Sequence, residues 1–477
     1  MAIVLREDQE DVRAKLRVAL RSNRSVLTYA PTGFGKTVLT SALIKILFDA
    51  SKRVIFAVHR QDLITQTAKT FEKFGIPFSY IAAGHHFNPY HRVFIASIPT
   101  LKNRLGKFPA DYLFVDEAHL SMSAGWKAVV DHYKASKTRI IGLTGSPERL
   151  DGKPLGDAWD TMVLGPSPRW LIERGHLSRY RAFAPAGVDL SGVHTRGGDY
   201  VASEIDELMA GRAVLAGAVR HWRKYAAGKR TIAFTPSIAR AEQLAAEFCA
   251  NGISAVSIDG NTPREDRTRY FNAFADGEIE VITSVNLFCE GFDLAAQVDR
   301  DVTVEAVLLY RPTQSLALHL QQVGRALRKK PEPAIILDLV GNLARLGLPD
   351  DDREWSLAGR AKKAAEVKVA QCPDCFASHS PAPVCPECGH AYAELKREAG
   401  EGRVIDEIEG ELEEIDLNAV RQQRKTEQAK AKSLEDLISL ATSRGYKSPE
   451  KWAAHIYTAR QAKARATSGD RRYANAY

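Results

Sequence analysis

The sequence has little of what a membrane or secreted protein requires. No stretch approaches the ~18 uninterrupted apolar residues of a membrane-spanning helix. The opening Met1-Ala2-Ile3-Val4-Leu5-Arg6-Glu7-Asp8 has no basic flank followed by an apolar core. Cysteine is scarce, six in 477 residues. Four of the six crowd into one short segment, while Cys249 and Cys289 stand alone in apolar patterns, which argues against a disulfide framework. These absences predict a cytoplasmic protein with no membrane partner. What is present is the composition of a globular chain, 45% hydrophobic and 26% charged, long enough for about three domains. The net charge of +8 favours a polyanionic partner, although a total alone does not locate it.

The most informative stretch is Ala30-Pro31-Thr32-Gly33-Phe34-Gly35-Lys36-Thr37, between an apolar run at 25–29 and a helical pattern at 38–48. Strand, glycine loop and helix in that order suit a phosphate. Gly33 and Gly35 let backbone N–H groups turn inward, and the helix N-terminus adds a favourable dipole. Thr32, Gly33, Gly35, Lys36 and Thr37 are the candidate nucleotide contacts, with Lys36 on the β- and γ-phosphates and Thr37 on Mg²⁺. A glycine turn before a surface helix is the alternative. Upstream, residues 5–19 have amphipathic spacing, and the Gln9 amide offers both a donor and an acceptor for an adenine edge. It could equally be an exposed helical residue.

Runs at 53–58 and 93–96 read as strands ending in polar groups, His59 and Arg60 after the first, Ser97 and Thr100 after the second. Ligands of open α/β sheets bind at that edge, and such donors suit phosphodiester oxygens; ordinary strand-end polarity is the competing explanation. Tyr112-Leu113-Phe114-Val115 leads into Asp116-Glu117-Ala118-His119. Two carboxylates at the tip of a buried strand call for a cation. Asp116 would hold Mg²⁺, usually through water, and Glu117 would orient and deprotonate the attacking water. A further strand at 139–143 ends in Thr144-Gly145-Ser146-Pro147, whose hydroxyls either link nucleotide state to a second ligand or cap a turn.

In this order, these three stretches resemble motifs I, II and III of the superfamily 2 helicases. That family has a second RecA-like domain that closes over the nucleotide, and the later sequence alternates accordingly. Strands are predicted at 231–234, 253–258 and 281–284, with Thr235, Ser237 and Thr283 at strand ends as further candidate nucleic-acid contacts. Glu290-Gly291-Phe292-Asp293 resembles motif V, with Gly291 and Asp293 on the nucleotide, and Gln321-Gln322-Val323-Gly324-Arg325-Ala326-Leu327-Arg328 resembles motif VI. The resemblance implies that Gln321, Arg325 and Arg328 complete the catalytic set with Lys36 and Glu117. At i, i+3 spacing the two arginines would share a helix face. The sequence departs from the family at Gly145-Ser146, where Ala-Thr is commoner, and at Pro99, where Gln is frequent. Residues 166–212, with Arg196-Gly197-Gly198-Asp199, read only as a linker and the entry to the second domain.

Beyond residue 360 the pattern changes. Cys372-Pro373-Asp374-Cys375 and Cys385-Pro386-Glu387-Cys388 are two C-x-x-C knuckles nine residues apart, a ligand set for structural Zn²⁺, with iron as the chemical alternative. Residues 401–416 carry eight acidic groups against Arg403, and 421–477 carry thirteen Lys/Arg against five Asp/Glu on a helical pattern that includes Trp452 and Tyr457. A two-lobed motor with a four-cysteine knuckle and helical tail is similar to the bacterial RadD-like repair helicases and their phage relatives.

The expected fold is therefore α/β: two tandem RecA-like parallel sheets at 1–165 and 213–345, joined at 166–212 by a linker and the entry to the second domain. A zinc knuckle within 346–395 and a C-terminal region at 396–477, acidic then basic and helical, would follow. The expected function is a DNA-dependent ATPase, a helicase or translocase in repair, recombination or replication, using ATP, Mg²⁺ and Zn²⁺. Its partners would be single-stranded, forked or duplex DNA, with repair or replication proteins at the C-terminal region. The alternatives are an ATP-gated nucleic-acid binder with little unwinding and an RNA helicase.

Overall fold

The computed structural model describes residues 4–184, 190, 192–288, 294–298, 300, 302–359, 369–392, 431, 433–443, 450, 453–454 and 456–457. Contacts divide the chain into Met1–Leu395 and Lys396–Tyr477.

In the first unit, seven short strands form one sheet: β1 (Ser25–Tyr29), β2 (Val54–Val58), β3 (Ser79–Ile81), β4 (Val93–Ser97), β5 (Tyr112–Val115), β6 (Arg139–Thr144) and β7 (Thr161–Leu164). Their order is β3-β4-β2-β5-β6-β1-β7 and every pairing is parallel. β1 and β2 are buried along their whole length, as expected of parallel strands covered by helices on both faces. The order places β6 between β1 and β5, with Tyr29 level with Thr144 and Val115 with Gly142. The phosphate-loop candidate, the Asp-Glu pair and Thr144 therefore leave the sheet side by side at one edge.

The second sheet begins inside the stretch read as linker and entry to the second domain. β8 (Tyr180–Phe183) joins it, while β9 (Thr195–Arg196) and β10 (Asp199–Tyr200) form a separate antiparallel hairpin. The other members are β11 (Thr231–Phe234), β12 (Ala255–Ser257), β13 (Val281–Ser284), β14 (Ala306–Leu309) and β15 (Ala334–Asp338), in the parallel order β12-β13-β11-β14-β15-β8. β8 pairs with β15, a contact across about 150 residues that no local pattern reveals. The helix Leu316–Ala326 lies between β14 and β15 in the chain. The two sheets are the tandem RecA-like pair that the sequence predicts. One apolar core runs from the first sheet through Leu171 and Leu177 into the second.

After the helix Asn342–Leu346 the chain returns to the first lobe. The Trp355 ring lies 5.3 Å from Tyr29, and Leu357 O accepts from the backbone N–H groups of Leu155 and Gly156 at 2.9 and 3.1 Å. The cysteine knuckle then docks on the second lobe. Its hairpin, β16 (Ala370–Gln371) and β17 (Ser378–His379), approaches the β8 edge, where the Ala184 N–H donates to Phe376 O at 3.0 Å and Phe183 bridges to Ala377. Tyr225 stacks on Phe183 at 4.2 Å and donates its hydroxyl to Cys375 O, and Arg181 pairs with Glu387 at 2.6 Å. An open strand edge is thereby covered.

In the second unit, the helix Leu434–Ser443 buries Leu437 and Ala441, and Leu437 packs with Ala431 and Ala453. Ile438, Leu440, Ile456 and Tyr457 surround that small cluster, in agreement with the helical spacing in the sequence. Trp452 lies outside the described residues. Among the described residues, no helix is long and apolar enough to cross a membrane.

Candidate active site

The loop after β1 has the form its glycines require. Gly33 and Gly35 have φ of 84° and 89°, the left-handed region that glycine enters without a Cβ clash. The Phe34 N–H closes onto Pro31 O at 3.1 Å, and the helix Lys36–Asp49 starts with Val38 and Leu39 donating to Gly35 O. Lys36 folds back across the loop, its Nζ donating to Ala30 O at 3.0 Å. Burial pushes the Lys36 pKa down, opposed by the negative charges of Glu117 and Asp116, while Arg325 adds to the lowering. Gln9 is buried and spends its amide on the chain: Oε1 accepts from the Arg6 N–H at 3.1 Å and Nε2 donates to Phe34 O at 3.0 Å. Arg6, which sequence reasoning passed over, donates to the same carbonyl at 2.8 Å and is held by Asp8. Its signal is the three-residue spacing to Gln9.

Asp116 follows β5, and desolvation raises its carboxyl to about 6, with the Glu117 charge adding to the rise and Lys36 opposing it. Such a carboxylate, costly to ionise alone, suits a hard divalent cation, and Thr37 lies exposed across the loop at the start of its helix. Glu117 is buried at φ 47° and ψ 51°, a conformation uncommon outside glycine that turns the chain sharply from strand into the short helix Ala118–Met122. The His119 ring is 3.4 Å from Glu117 and 3.1 Å from Thr144 Oγ1, and that hydroxyl closes a turn with the backbone of Ser146. The ends of β5 and β6 are thus physically linked.

The second lobe reaches this loop through one helix. A Cβ at Gly324 would lie 2.7 Å from the Thr32 side chain, so only glycine permits the approach. Arg325 and Gln321 are buried on that helix. Arg328 does not share its face as the spacing implies, because the helix closes at Ala326 and Leu327 caps it. Arg328 instead follows in an extended bridge with Leu177 and shares with Arg325 a small second-lobe cavity lined by Ile232, Phe288, Leu294, Val302 and Val304, none of them from the phosphate loop or the Asp-Glu pair. Lys36 and Arg325 thus lie within electrostatic reach of each other, and Lys36 within reach of Asp116 and Glu117, which brings four charged groups from three segments of the two lobes together.

The candidate nucleic-acid residues divide. His59 and Arg60 follow β2 at the cleft, with Arg60 donating to Asn286 O of the second lobe at 3.4 Å. Ser97 caps the helix Ile98–Lys102 and donates to the Thr100 hydroxyl at 2.8 Å. Ser237 caps the helix Ile238–Ala250 and bonds Asp206. Thr235 and Thr283 are fully buried, with Thr283 donating to Ala241 O at 2.7 Å and Thr235 to Ser237 O at 3.2 Å. Those two hydroxyls face the lobe interior, a placement the strand-end reading did not foresee. Gly291 and Asp293 lie outside the described residues.

The four knuckle sulfurs converge, all within 4.8 Å of one another. Cys372 to Cys388 is 3.6 Å and Cys375 to Cys385 is 3.7 Å, against about 3.8 Å between thiolates arranged tetrahedrally at Zn–S bond length. The donor set fits zinc.

Residues 2–149 match the family model described as "Type III restriction enzyme, res subunit", and residues 213–330 match "Helicase conserved C-terminal domain". A 51.5 kDa protein of a Lactococcus phage (isolate 7-9) is 32% identical over 401 residues, covering 82% of each chain. This chain belongs to the superfamily 2 helicases. IRC3 of Saccharomyces cerevisiae, whose name as an ATP-dependent helicase is itself provisional, is 27% identical over 394 residues. That match covers 74% of this helicase-family chain and 55% of the yeast protein. Among solved structures, the ATP-dependent Type ISP restriction-modification enzyme LlaBIII bound to DNA shares the fold at a TM-score of 0.53 and 16% identity, over 71% of this chain and 28% of that one.

Proposed function

We propose that this chain hydrolyses ATP between its two lobes and uses the cycle to move along DNA. The observation that carries the reading is the apposition of Gly324 to Thr32, which brings Arg325 into the field of Lys36. A site that only held nucleotide would need the loop alone; an arginine delivered by another lobe suits charge that develops during phosphoryl transfer. Lys36 contacts the β- and γ-phosphates, with Thr32, Gly33 and Gly35 supplying the cradle and Gln9 turning to the adenine edge. Glu117 orients the attacking water and takes its proton, and Gln321, Arg325 and Arg328 hold the γ-phosphoryl group and its charge. Asp116 and Thr37 are the residues that would hold Mg²⁺, which when bound neutralises phosphate charge. Gly291 and Asp293 complete the nucleotide contacts. His59 and Arg60 are the foremost strand contacts; Ser97 and Ser237 are helix caps, and the Thr100 hydroxyl is bonded to Ser97, so these three are secondary contacts to phosphodiester oxygens. Zn²⁺ on Cys372, Cys375, Cys385 and Cys388 is the core of the knuckle.

The test is phosphate release with single-stranded, forked and duplex DNA and with RNA at two salt concentrations, since phosphate contacts are strongly salt-dependent. DNA-stimulated release should vanish in Lys36→Ala, while Glu117→Gln should bind ATP without turning it over. Stimulated release that survives both changes would overturn the reading. Stronger stimulation by RNA would shift the strand, not the chemistry. A repair role, in keeping with the RadD-like arrangement, would be tested by DNA-damage sensitivity of a deletion strain.

A further inference from the structure

The segment Arg196-Gly197-Gly198-Asp199 has no part in the site described so far, yet it touches both lobes. β9 and β10 pair Arg196 with Asp199 and Thr195 with Tyr200 around a two-residue turn. Gly197 and Gly198 have φ of 65° and 94°, as a tight hairpin turn of this hand demands. At the base, the Asp199 carboxylate accepts from the Thr313 hydroxyl at 2.8 Å and from the Gln314 N–H at 2.7 Å. Thr313 in turn accepts from the Ser315 N–H at 3.0 Å, and Ser315 caps the helix Leu316–Ala326. Asp199 therefore grips the residues that launch the helix carrying Gln321 and Arg325. At the tip, a Cβ on Gly198 would stand 2.5 Å from the carbonyl oxygen of Leu150, in the first-lobe loop that follows Ser146. Between tip and base, Gly197 and Asp199 line a cleft of about 530 Å³ together with Leu150, His119 and Gln321.

We infer that Asp199 is a positioning residue for the arginine-bearing helix, and that the hairpin β9–β10 is the strut through which the first-lobe loop at Leu150 sets where that helix stands. The inference rests on the proposed hydrolysis between the lobes. Its physical basis is leverage. A short helix moves as a body, so freeing its N-terminal loop displaces Gln321 and Arg325 together. A shift of about 1 Å at reacting groups is enough to cost ~10²-fold in rate. The carboxylate suits the task because it accepts a backbone N–H and a hydroxyl at once, and charge-assisted bonds are the stronger kind.

The experiment is steady-state ATP turnover at saturating single-stranded DNA, with melting recorded for each variant. Asp199→Ala should lower kcat about tenfold or more while KM for ATP changes less than about twofold. Asp199→Asn, which keeps an oxygen for the Gln314 N–H, should recover to within about threefold of the unaltered chain. Gly198→Val crowds the Leu150 carbonyl and strains the turn while keeping the Asp199 carboxylate, and should lower kcat about fivefold, so it carries the test if Asp199→Ala does not fold. In an Arg325→Ala background, removing Asp199 should cost less than about threefold more, because the larger part of its effect acts through that arginine and only the displacement of Gln321 is left. Folded Asp199→Ala and Gly198→Val proteins that turn over at the unaltered rate would overturn the inference, as would a full additional loss in the Arg325→Ala background. If the unaltered chain shows no DNA-stimulated turnover, the proposed function falls instead, and the inference with it.

Discussion

The two lobes share an architecture and divide the work unequally. In the first, strand ends open into exposed or strained turns: a glycine loop after β1 and a left-handed Glu117 after β5. In the second, the strand-end hydroxyls are buried, Thr283 bonded to Ala241 O and Thr235 to Ser237 O, the latter in the same turn that Thr144 makes with Ser146 in the first lobe. Its contribution to the site comes instead from one helix, Leu316–Ala326, laid against the loop of the other lobe. The same parallel sheet thus serves once as a cradle and once as a scaffold that delivers an arginine. On the proposed function, that asymmetry separates binding from turnover, and each can be broken alone.

The largest expected effect is on the second-lobe side. Arg325→Ala should lower turnover by about 10³-fold or more, the scale of transition-state arginines in phosphoryl transfer, while ATP affinity measured by titration changes far less. On the first-lobe side, Lys36→Ala should instead weaken ATP binding itself, by about 10- to 100-fold for the loss of charge-assisted phosphate contacts. If the two variants lose binding and turnover in the same proportion, the division of labour is wrong.

Metal removal sharpens the comparison in a different way. The knuckle covers the β8 edge of the second sheet and has little core of its own, so chelation should unfold it and expose that edge. A loss of about 2–3 kcal/mol would lower the second-lobe melting transition by roughly 5–10 °C. ATP binding at the first lobe should persist, and Cys385→Ser should reproduce the shift without chelator. Calorimetry with parallel metal analysis checks both.

The smallest effect at neutral pH concerns His319, fully buried in the second lobe with Nε2 3.1 Å from Gly347 O. Burial drives its pKa down to about 3, with the Arg353 and Arg345 charges acting the same way. Because the unfolded chain takes up this proton near pH 6.5 and the folded chain does not, its stabilising contribution is full above pH 6.5. Stability should fall as pH drops from there toward 3, by up to ~1.4 kcal/mol per unit. His319→Gln, which keeps a donor for Gly347, should flatten that part of the melting profile while leaving pH 8 nearly unchanged.

Much of this was legible from residues alone because the informative chemistry is local. The strands at 112–115, 231–234 and 281–284 coincide with the observed ones, since buried parallel strands are short apolar runs bounded by polar punctuation. The knuckle was legible because two tight C-x-x-C turns can point at one metal whatever surrounds them. What stayed hidden depended on distant partners. Nothing near Tyr180 announces a strand that pairs with residues about 150 positions later. A hydroxyl at a strand end looks alike whether it meets solvent or, as at Thr283, the carbonyl of a covering helix. Arg328 was read onto a helix because spacing carries no information about where the helix closes.

By itself the sequence determined the two sheets, the phosphate-loop candidate, the Asp-Glu pair and the four knuckle cysteines, since each follows from periodicity, glycine geometry or ligand chemistry within a few residues. Only the tertiary structure decided that Gly324 lies on Thr32, that Arg325 is felt by Lys36, and that a stretch read as linker holds a hairpin between the lobes. Those are facts of close approach between segments from about fifty to nearly three hundred residues apart, and close approach is set by how whole faces pack.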